Sequence, residues 1–394
     1  MKYEEISRFV EEHKQEAVNF LQELVRTPSP TGSETAVAKR IVSKLEEEGF
    51  NPEVIGPDEA SPNIICDWKG KEGKTLLFNG HIDVFPPEKT AVRDPWSGQI
   101  EGDKLYGRGS TDMKSGDAAG ILAMCFLKRL GFVPKGTLSL GLNCDEEQGG
   151  KRGILYCIKQ GLFKADFTIC MEASEDTIIV DTDGRIAWKV TFASDSWHAG
   201  TRLNKVDALQ MAHQAVEKIN EYDKKVLLPE RYFGDRDFGA VISVTSISSG
   251  FEGKTVNMHP AECTIWIDRR YTKNETVESA EKELIDLLNS IPDAAGHYKF
   301  ERLFASARMS IDAEDKDIQE CMNAYRKVFG SEIRVGRRNA GGDAVKLSVA
   351  YNQKVPQFGP GIFEVLGTDD EHVYISQYLN FIKVYMLFAS EYLS

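Results

Sequence analysis

The chain has 394 residues, too many for one ordinary core, so two domains are expected. Its 61 acidic residues outnumber 48 basic ones, and a net charge of −13 argues against a nucleic-acid partner, which needs a basic face. No apolar run approaches the ~18 residues of a membrane span, and seven scattered cysteines suit reduced core thiols better than a disulfide framework.

The opening Met1-Lys2-Tyr3-Glu4-Glu5 lacks the basic-then-apolar pattern of a signal peptide, so the cytoplasm is the expected compartment. An amphipathic helix is predicted from about Tyr3 to Val25, and a second from Ser33-Glu34-Thr35 to Gly49. Strands follow at Asn63 to Cys66 and Thr75 to Asn79, then a short hairpin near Gly98 to Tyr106. A helix of small and apolar residues spans Ala118 to Leu130, with further strands at Thr137 to Cys144 and Phe167 to Cys170. This alternation predicts an α/β fold, a mainly parallel sheet with helices on both faces.

After about Asp181 the texture changes. Arg185 to Ser194, Gly239 to Ser248 and Glu262 to Arg270 alternate as one-sided strands, with helices at Val206 to Tyr222 and Glu275 to Asn289. That pattern predicts an inserted α+β domain with an antiparallel sheet. From about Asp312 the α/β character returns, with a helix to Phe329, a glycine turn at 339–343, and a closing helix from Ile375. The expected division is 1–181 and 304–394 for one domain and 182–303 for the insert.

Polar side chains cluster where the apolar runs end. Leu76-Leu77-Phe78-Asn79-Gly80 runs into His81-Ile82-Asp83, which places a histidine at the carboxyl edge of a sheet, with an aspartate able to receive its second N–H. Asp112 follows a glycine-rich stretch, Glu146-Glu147 end one strand, and Glu172 ends another. Carboxylates converging in one cleft are costly unless they are protonated or share cations. Mixed imidazole and carboxylate ligands suit zinc, with cobalt or manganese as substitutes. Two ions bridged by one carboxylate and a water would neutralise the cluster and generate hydroxide near neutral pH.

Three ordered motifs, Gly80-His81-Ile82-Asp83, Gly107-Arg108-Gly109-Ser110-Thr111-Asp112-Met113-Lys114 and Asp145-Glu146-Glu147, resemble the di-zinc amidohydrolase and exopeptidase family. That family includes aminoacylase, acetylornithine deacetylase, succinyl-diaminopimelate desuccinylase and glutamate carboxypeptidase. The resemblance implies a zinc-exopeptidase-like domain with a ferredoxin-like lid and dimerisation insert, two Zn2+ per chain, and a homodimer. By it, His81 and Glu172 bind one zinc, Asp112 bridges both, Glu147 binds the second, and Asp83 orients His81. Glu146 is then the general base that carries a proton from the water to the leaving amine.

In the insert, Ser196-Trp197-His198-Ala199-Gly200 sits where relatives place a histidine that polarises the scissile carbonyl. Asn257 and Arg270, with Gly341 of the glycine turn, fall where relatives contact the substrate, the arginine gripping a carboxylate. Arg269 is expected on the other face of the strand, and His259 departs from the usual apolar residue. The last zinc-ligand histidine of relatives falls on Gly367, so His372 is the expected replacement, with Asp369, Asp370 or a weak or empty second site as the alternatives. The implied reaction is metal-dependent hydrolysis of the amide bond of small N-acyl amino acids or short peptides. A dipeptidase or carboxypeptidase on the same fold, or a binding protein with a degraded metal site, is the alternative.

Overall fold

The computed structural model describes residues 1–88, 93–201, 205–227, 240–250, 256–339 and 341–394. Helices α1 (Tyr3–Glu12), α2 (Lys14–Arg26) and α3 (Thr35–Glu47) precede strands β1 (Glu53–Ile55), β2 (Asn63–Lys69) and β3 (Lys71–His81). A ribbon of β4 (Ile100–Glu101) and β5 (Lys104–Tyr106) leads to α4 (Lys114–Arg129), β6 (Lys135–Asn143), α5 (Ile154–Lys159), β7 (Phe167–Ala173) and β8 (Thr177–Thr182). Next come β9 (Gly184–Ala193), β10 (Trp197–His198), α6 (Ala208–Tyr222), β11 (Val241–Ser249), β12 (Met258–His259), β13 (Glu262–Tyr271), α7 (Val277–Asn289) and β14 (Tyr298–Ser306). The rest is α8 (Lys316–Phe329), β15 (Arg334–Arg338), α9 (Gly342–Tyr351), β16 (Gln357–Gly359), β17 (His372–Tyr374) and α10 (Ile375–Tyr392).

The helix expected from Tyr3 to Val25 is two helices, broken at His13. There the imidazole stacks on Phe9 and its Nδ1 lies 2.9 Å from the Phe9 carbonyl. Gly239, read as the start of a strand, and Ala340 of the glycine turn lie outside the described residues.

Two compact units divide the chain. The first comprises Met1–Val180, Ile311–Gly336 and Gly342–Ser394; the second comprises Asp181–Ser310 and Arg337–Gly341. The second boundary falls after Ser310 and not at residue 303, because the amide of Thr182 bonds Met309 O and the amide of Met309 bonds Thr182 Oγ1.

The first unit is built on an eight-stranded sheet in the order β1-β2-β6-β3-β7-β16-β8-β15. Strands β6, β3, β7 and β16 run parallel, with antiparallel neighbours at β2 and β8. Helix α4 is buried on all sides from Lys114 to Leu127, which explains why its sequence is apolar without a polar stripe. Glycines allow it to lie against β7: a Cβ on Gly116 would meet Met171 O at 2.1 Å, and one on Gly120 would meet Met171 Sδ at 2.3 Å. On the opposite face Phe163, just after α5, packs on Gly141.

The second unit is a four-stranded antiparallel sheet, order β11-β13-β9-β14, with a core of its own. Strand β9 buries Ile186, Trp188, Val190 and Phe192 in alternation, and α6 and α7 contribute Met211, Ala215, Leu284 and Leu288 to the same core. Among the described residues no helix is long and apolar enough to cross a membrane.

Candidate metal centre and active site

Parallel strands end on the same edge of a sheet, so the polar residues that finish β3, β6 and β7 meet. His81 is the last residue of β3, and β7 carries Glu172 near its end. Asp112 lies in the loop that enters α4. Glu146 and Glu147 form a 3₁₀ turn after β6, started by Asp145 in the left-handed region at φ 64°. The Asp145 carboxylate holds that turn by accepting from the Arg152 amide and guanidinium, both at 2.9 Å.

The imidazole of His81 is fully enclosed, and its two nitrogens have different jobs. Nδ1 lies 2.9 Å from the backbone carbonyl of Asp83, which only accepts, so Nδ1 carries a proton. Nε2 therefore faces the carboxylates, 3.1 Å from Asp112 Oδ1 and 3.6 Å from Glu172 Oε1. The Asp83 carboxylate does less for His81 than its spacing implies, since Oδ1 is 3.5 Å from Nδ1. Its main work is on the turn: it accepts from the amides of Glu146 at 3.0 Å and Glu147 at 3.2 Å, and from Thr31 Oγ1 at 2.8 Å. Asp83 thus fixes the acidic pair and the imidazole together.

Ligand atoms of His81, Asp112 and Glu147 all lie within 4.8 Å of one another. Glu147 Oε1 is buried without a hydrogen-bond partner, an arrangement that calls for a cation or a proton. Burial lowers the His81 pKa, but Asp112 and Asp83 outweigh it and raise it well above the ordinary value. Burial raises both glutamates of the pair, Glu146 with help from Asp343, and Glu147 with help from Asp112. Protons thus stand where divalent cations would neutralise the same charge, and the donor set of one imidazole and several carboxylates fits zinc.

A protein-family model described as peptidase family M20/M25/M40 matches residues 77–391. The chain belongs to this family. It is accordingly a metal-dependent hydrolase of amide or peptide carbon–nitrogen bonds. It is 26% identical over 306 residues to an N-formyl-4-amino-5-aminomethyl-2-methylpyrimidine deformylase of Bacillus subtilis, covering 73% of this chain and 71% of that enzyme. Over 340 residues it is 28% identical to a succinyl-diaminopimelate desuccinylase of Wolinella succinogenes, covering 84% of this chain and 88% of the relative. Its fold matches a dinuclear metal-binding M20 peptidase of Bacillus subtilis with a TM-score of 0.73 at 16% identity, over 97% of this chain and 99% of the other.

Within this M20 chain, several other residues assigned from sequence lie in the second unit. His198 Nε2 is 3.1 Å from the Asn257 amide nitrogen, and His198 Nδ1 accepts from the Gly200 amide at 3.1 Å. Arg270 lies on the partly exposed face of β13, where it bonds Asp268 Oδ1 at 3.0 Å and Asn339 O at 2.8 Å. Arg269 points to the helix side, buried against Glu275 and Glu283. Gly341 belongs to the 337–341 segment of that unit.

His372 is not gathered with the candidate ligands. It pairs with Tyr106 in the β17–β5 ladder, its ring lies against Tyr106 and Tyr374, and its Nδ1 is 2.6 Å from Asp370 O. Gly367 adopts φ 72°, with nothing within 4 Å of where a Cβ would stand.

The structure adds residues that sequence reasoning passed over. Gly342 leans on the acidic pair, where a Cβ would come within 3.0 Å of Glu146 Oε1. Asp343 Oδ1 pairs with Lys346 at 2.9 Å, and Asp343 Oδ2 accepts from Asn143 at 2.6 Å. Glu371 ties down the Asp112 loop. A glycine and an aspartate at the start of a helix carry no local signal of this, since helix starts favour both residues for backbone reasons alone.

Proposed function

We propose that this chain hydrolyses the amide bond of small N-acyl amino acids, with Zn2+ held by His81, Asp112, Glu147 and Glu172. The observation that carries the reading is the aim of His81 Nε2 at Asp112 and Glu172, within the cluster that includes Glu147. A bound zinc supplies Lewis acidity and draws the pKa of water towards neutrality; cobalt or manganese would serve the same donors.

The chain's own residues supply the remainder. Glu146 stands beside the ligands, outside the group of three, and burial raises its pKa, so that its ionised form is a stronger base than an ordinary carboxylate. That suits a group which takes a proton from water and hands it to the leaving nitrogen. His198 and Asn257 present polar atoms for the scissile carbonyl, Arg270 offers a planar guanidinium for a substrate carboxylate, and Gly341 is the proposed backbone contact to the substrate. Deformylation and desuccinylation, the activities of these two relatives, support N-acyl substrates over longer peptides.

The reading extends to a homodimer through the second unit, whose outer strands expose Ile247, Leu303 and Phe304. The cytoplasm is the proposed compartment, a reading supported by seven buried, unpaired cysteines.

The test is a panel of N-formyl, N-acetyl and N-succinyl amino acids and dipeptides, run with zinc-loaded protein and two variants. Glu146→Gln should lose about 10²–10⁴-fold in kcat and keep its zinc. Glu147→Gln should lose zinc affinity as well. Equal metal content and equal rates in the two variants would overturn this division of roles.

A further inference from the structure

We infer that Asp207, His259 and Trp197 form a clamp in the second unit that aims His198, and that His259 is a positioning residue for the reaction. The inference rests on the reading of His198 proposed above. His198 and Asn257 sit on or beside a ribbon of two short strands, paired Trp197 to His259 and His198 to Met258. Two residues per strand make a weak ladder, and even a full isolated hairpin is marginal in water. Beyond the Gly200 amide that donates to its Nδ1, the orientation of His198 must therefore be set by side chains.

The ribbon's side chains supply a continuous path to the core. The rings of Trp197 and His259 are stacked, 3.7 Å apart and within 8° of parallel. Trp197 Nε1 is buried without a hydrogen-bond partner, so the indole is held by the stack and not by its polar atom. On its other side His259 meets Asp207, with Nδ1 2.6 Å from Oδ2. The contact is not aligned as a hydrogen bond, yet this buried nitrogen has no better partner. Ser196 Oγ also donates to the His259 carbonyl at 2.9 Å.

Asp207 divides its carboxylate between two tasks. Oδ1 caps α6, accepting from the amides of Leu209 at 2.9 Å and Gln210 at 3.3 Å. Oδ2 is left for His259. Helix α6 in turn buries Ala208, Met211, Ala212, Ala215 and Ile219 in the core of the unit. Rigidity thus passes from the core through the helix cap to His259, then to Trp197 and its neighbour His198. An apolar residue at 259 could stack on the indole but could not engage the cap.

Asp207→Ser separates the two tasks, because serine caps a helix as well as aspartate but has no second oxygen for His259. Asp207→Ser, His259→Ala and the double variant are compared as zinc-loaded full chains on the best substrate of the panel. The clamp predicts that each single change lowers kcat by about ten- to a hundredfold, the scale of a small misplacement at a reacting centre. KM should stay within about twofold, and the double variant should be no worse than either single one. Unchanged kcat, or losses that multiply, would overturn the clamp.

A second readout does not depend on catalysis. His259→Ala should raise tryptophan emission, and this gain should vanish when the change is made in a Trp197→Phe background. An emission gain that persists in that background, or none at all, also overturns the clamp. His198→Ala is the control: if it turns over as fast as wild type, the reading of His198 fails, and the clamp is decided by emission alone.

Discussion

Asp117 stands in the first turn of α4 with both carboxylate oxygens buried and without hydrogen-bond partners. Oδ1 occupies the space a Cβ on Gly80 would need, so a glycine immediately before His81 makes room for it. Burial raises its pKa well above the ordinary value, Glu172 and Asp83 add to the rise, and His81 and Lys114 oppose it. The neutral form of the side chain is therefore favoured in the metal-free protein. A carboxyl raised in the folded state contributes stability below its unfolded value near 4, and loses it as pH rises towards the folded value. Asp117→Asn keeps the shape without that penalty, and should stabilise the metal-free protein by about 1–3 kcal/mol at pH 8. The gain should disappear near pH 4. Thermal unfolding with a chelator at both pH values checks it, and a variant no more stable at pH 8 would show that the acid is compensated. Sequence could not single out Asp117, because an acid in the first turn of a helix is ordinary.

At the scale of elements, the loop that delivers Asp112 is held by strand β17. Glu371 Oε1 accepts from the amides of Gly109, Thr111 and Asp112 at 3.0, 3.1 and 3.2 Å, while Oε2 pairs with Arg108 at 2.6 Å. Thr111 Oγ1 then donates to the His372 carbonyl at 2.7 Å. Alternation along a strand sends neighbouring side chains to opposite faces, so with Glu371 on the loop His372 faces Tyr106. That leaves the His372 ring against Tyr106 and Tyr374, apart from the group of His81, Asp112 and Glu147. Even beside Arg108, burial pushes Glu371 up to about 7. Arg108→Leu would leave this carboxylate buried without its cation, at a cost of about 3–5 kcal/mol. Urea unfolding measures that loss, and zinc titration should show weaker binding through the loosened Asp112. A loss under about 1 kcal/mol would mean that the three amides suffice. His81, Asp112, the Glu146-Glu147 pair and Glu172 were legible because each follows an apolar run or a glycine-rich stretch. Glu371 was not, because Asp112, whose amide it holds, is 259 positions away.

For the whole molecule, the change near Asp181 was legible because β9 and β13 alternate cleanly, whereas β14 exposes six residues in a row and hides the return boundary. What no segment reveals is the charge that the fold collects at one sheet edge. In the metal-free protein His81, Glu146 and Glu147 are all raised, so together they hold protons past neutrality. Each contributes stability below its unfolded value and loses it as pH rises through the folded one. Metal-free protein should therefore weaken from about pH 4.5, where the glutamates ionise in the unfolded chain, to about 8, where Glu146 ionises in the fold. Zinc needs the same groups deprotonated, so its binding releases protons and tightens with pH. The gap in Tm between zinc-loaded and metal-free protein should widen over that range, following the stabilisation that any ligand of the folded state confers. Calorimetric titration at pH 7 in two buffers of different ionisation enthalpy should register at least one proton released per zinc. Zero release, together with a Tm gap that stays constant with pH, would mean that the cluster is already ionised and that its charge is balanced elsewhere in the fold.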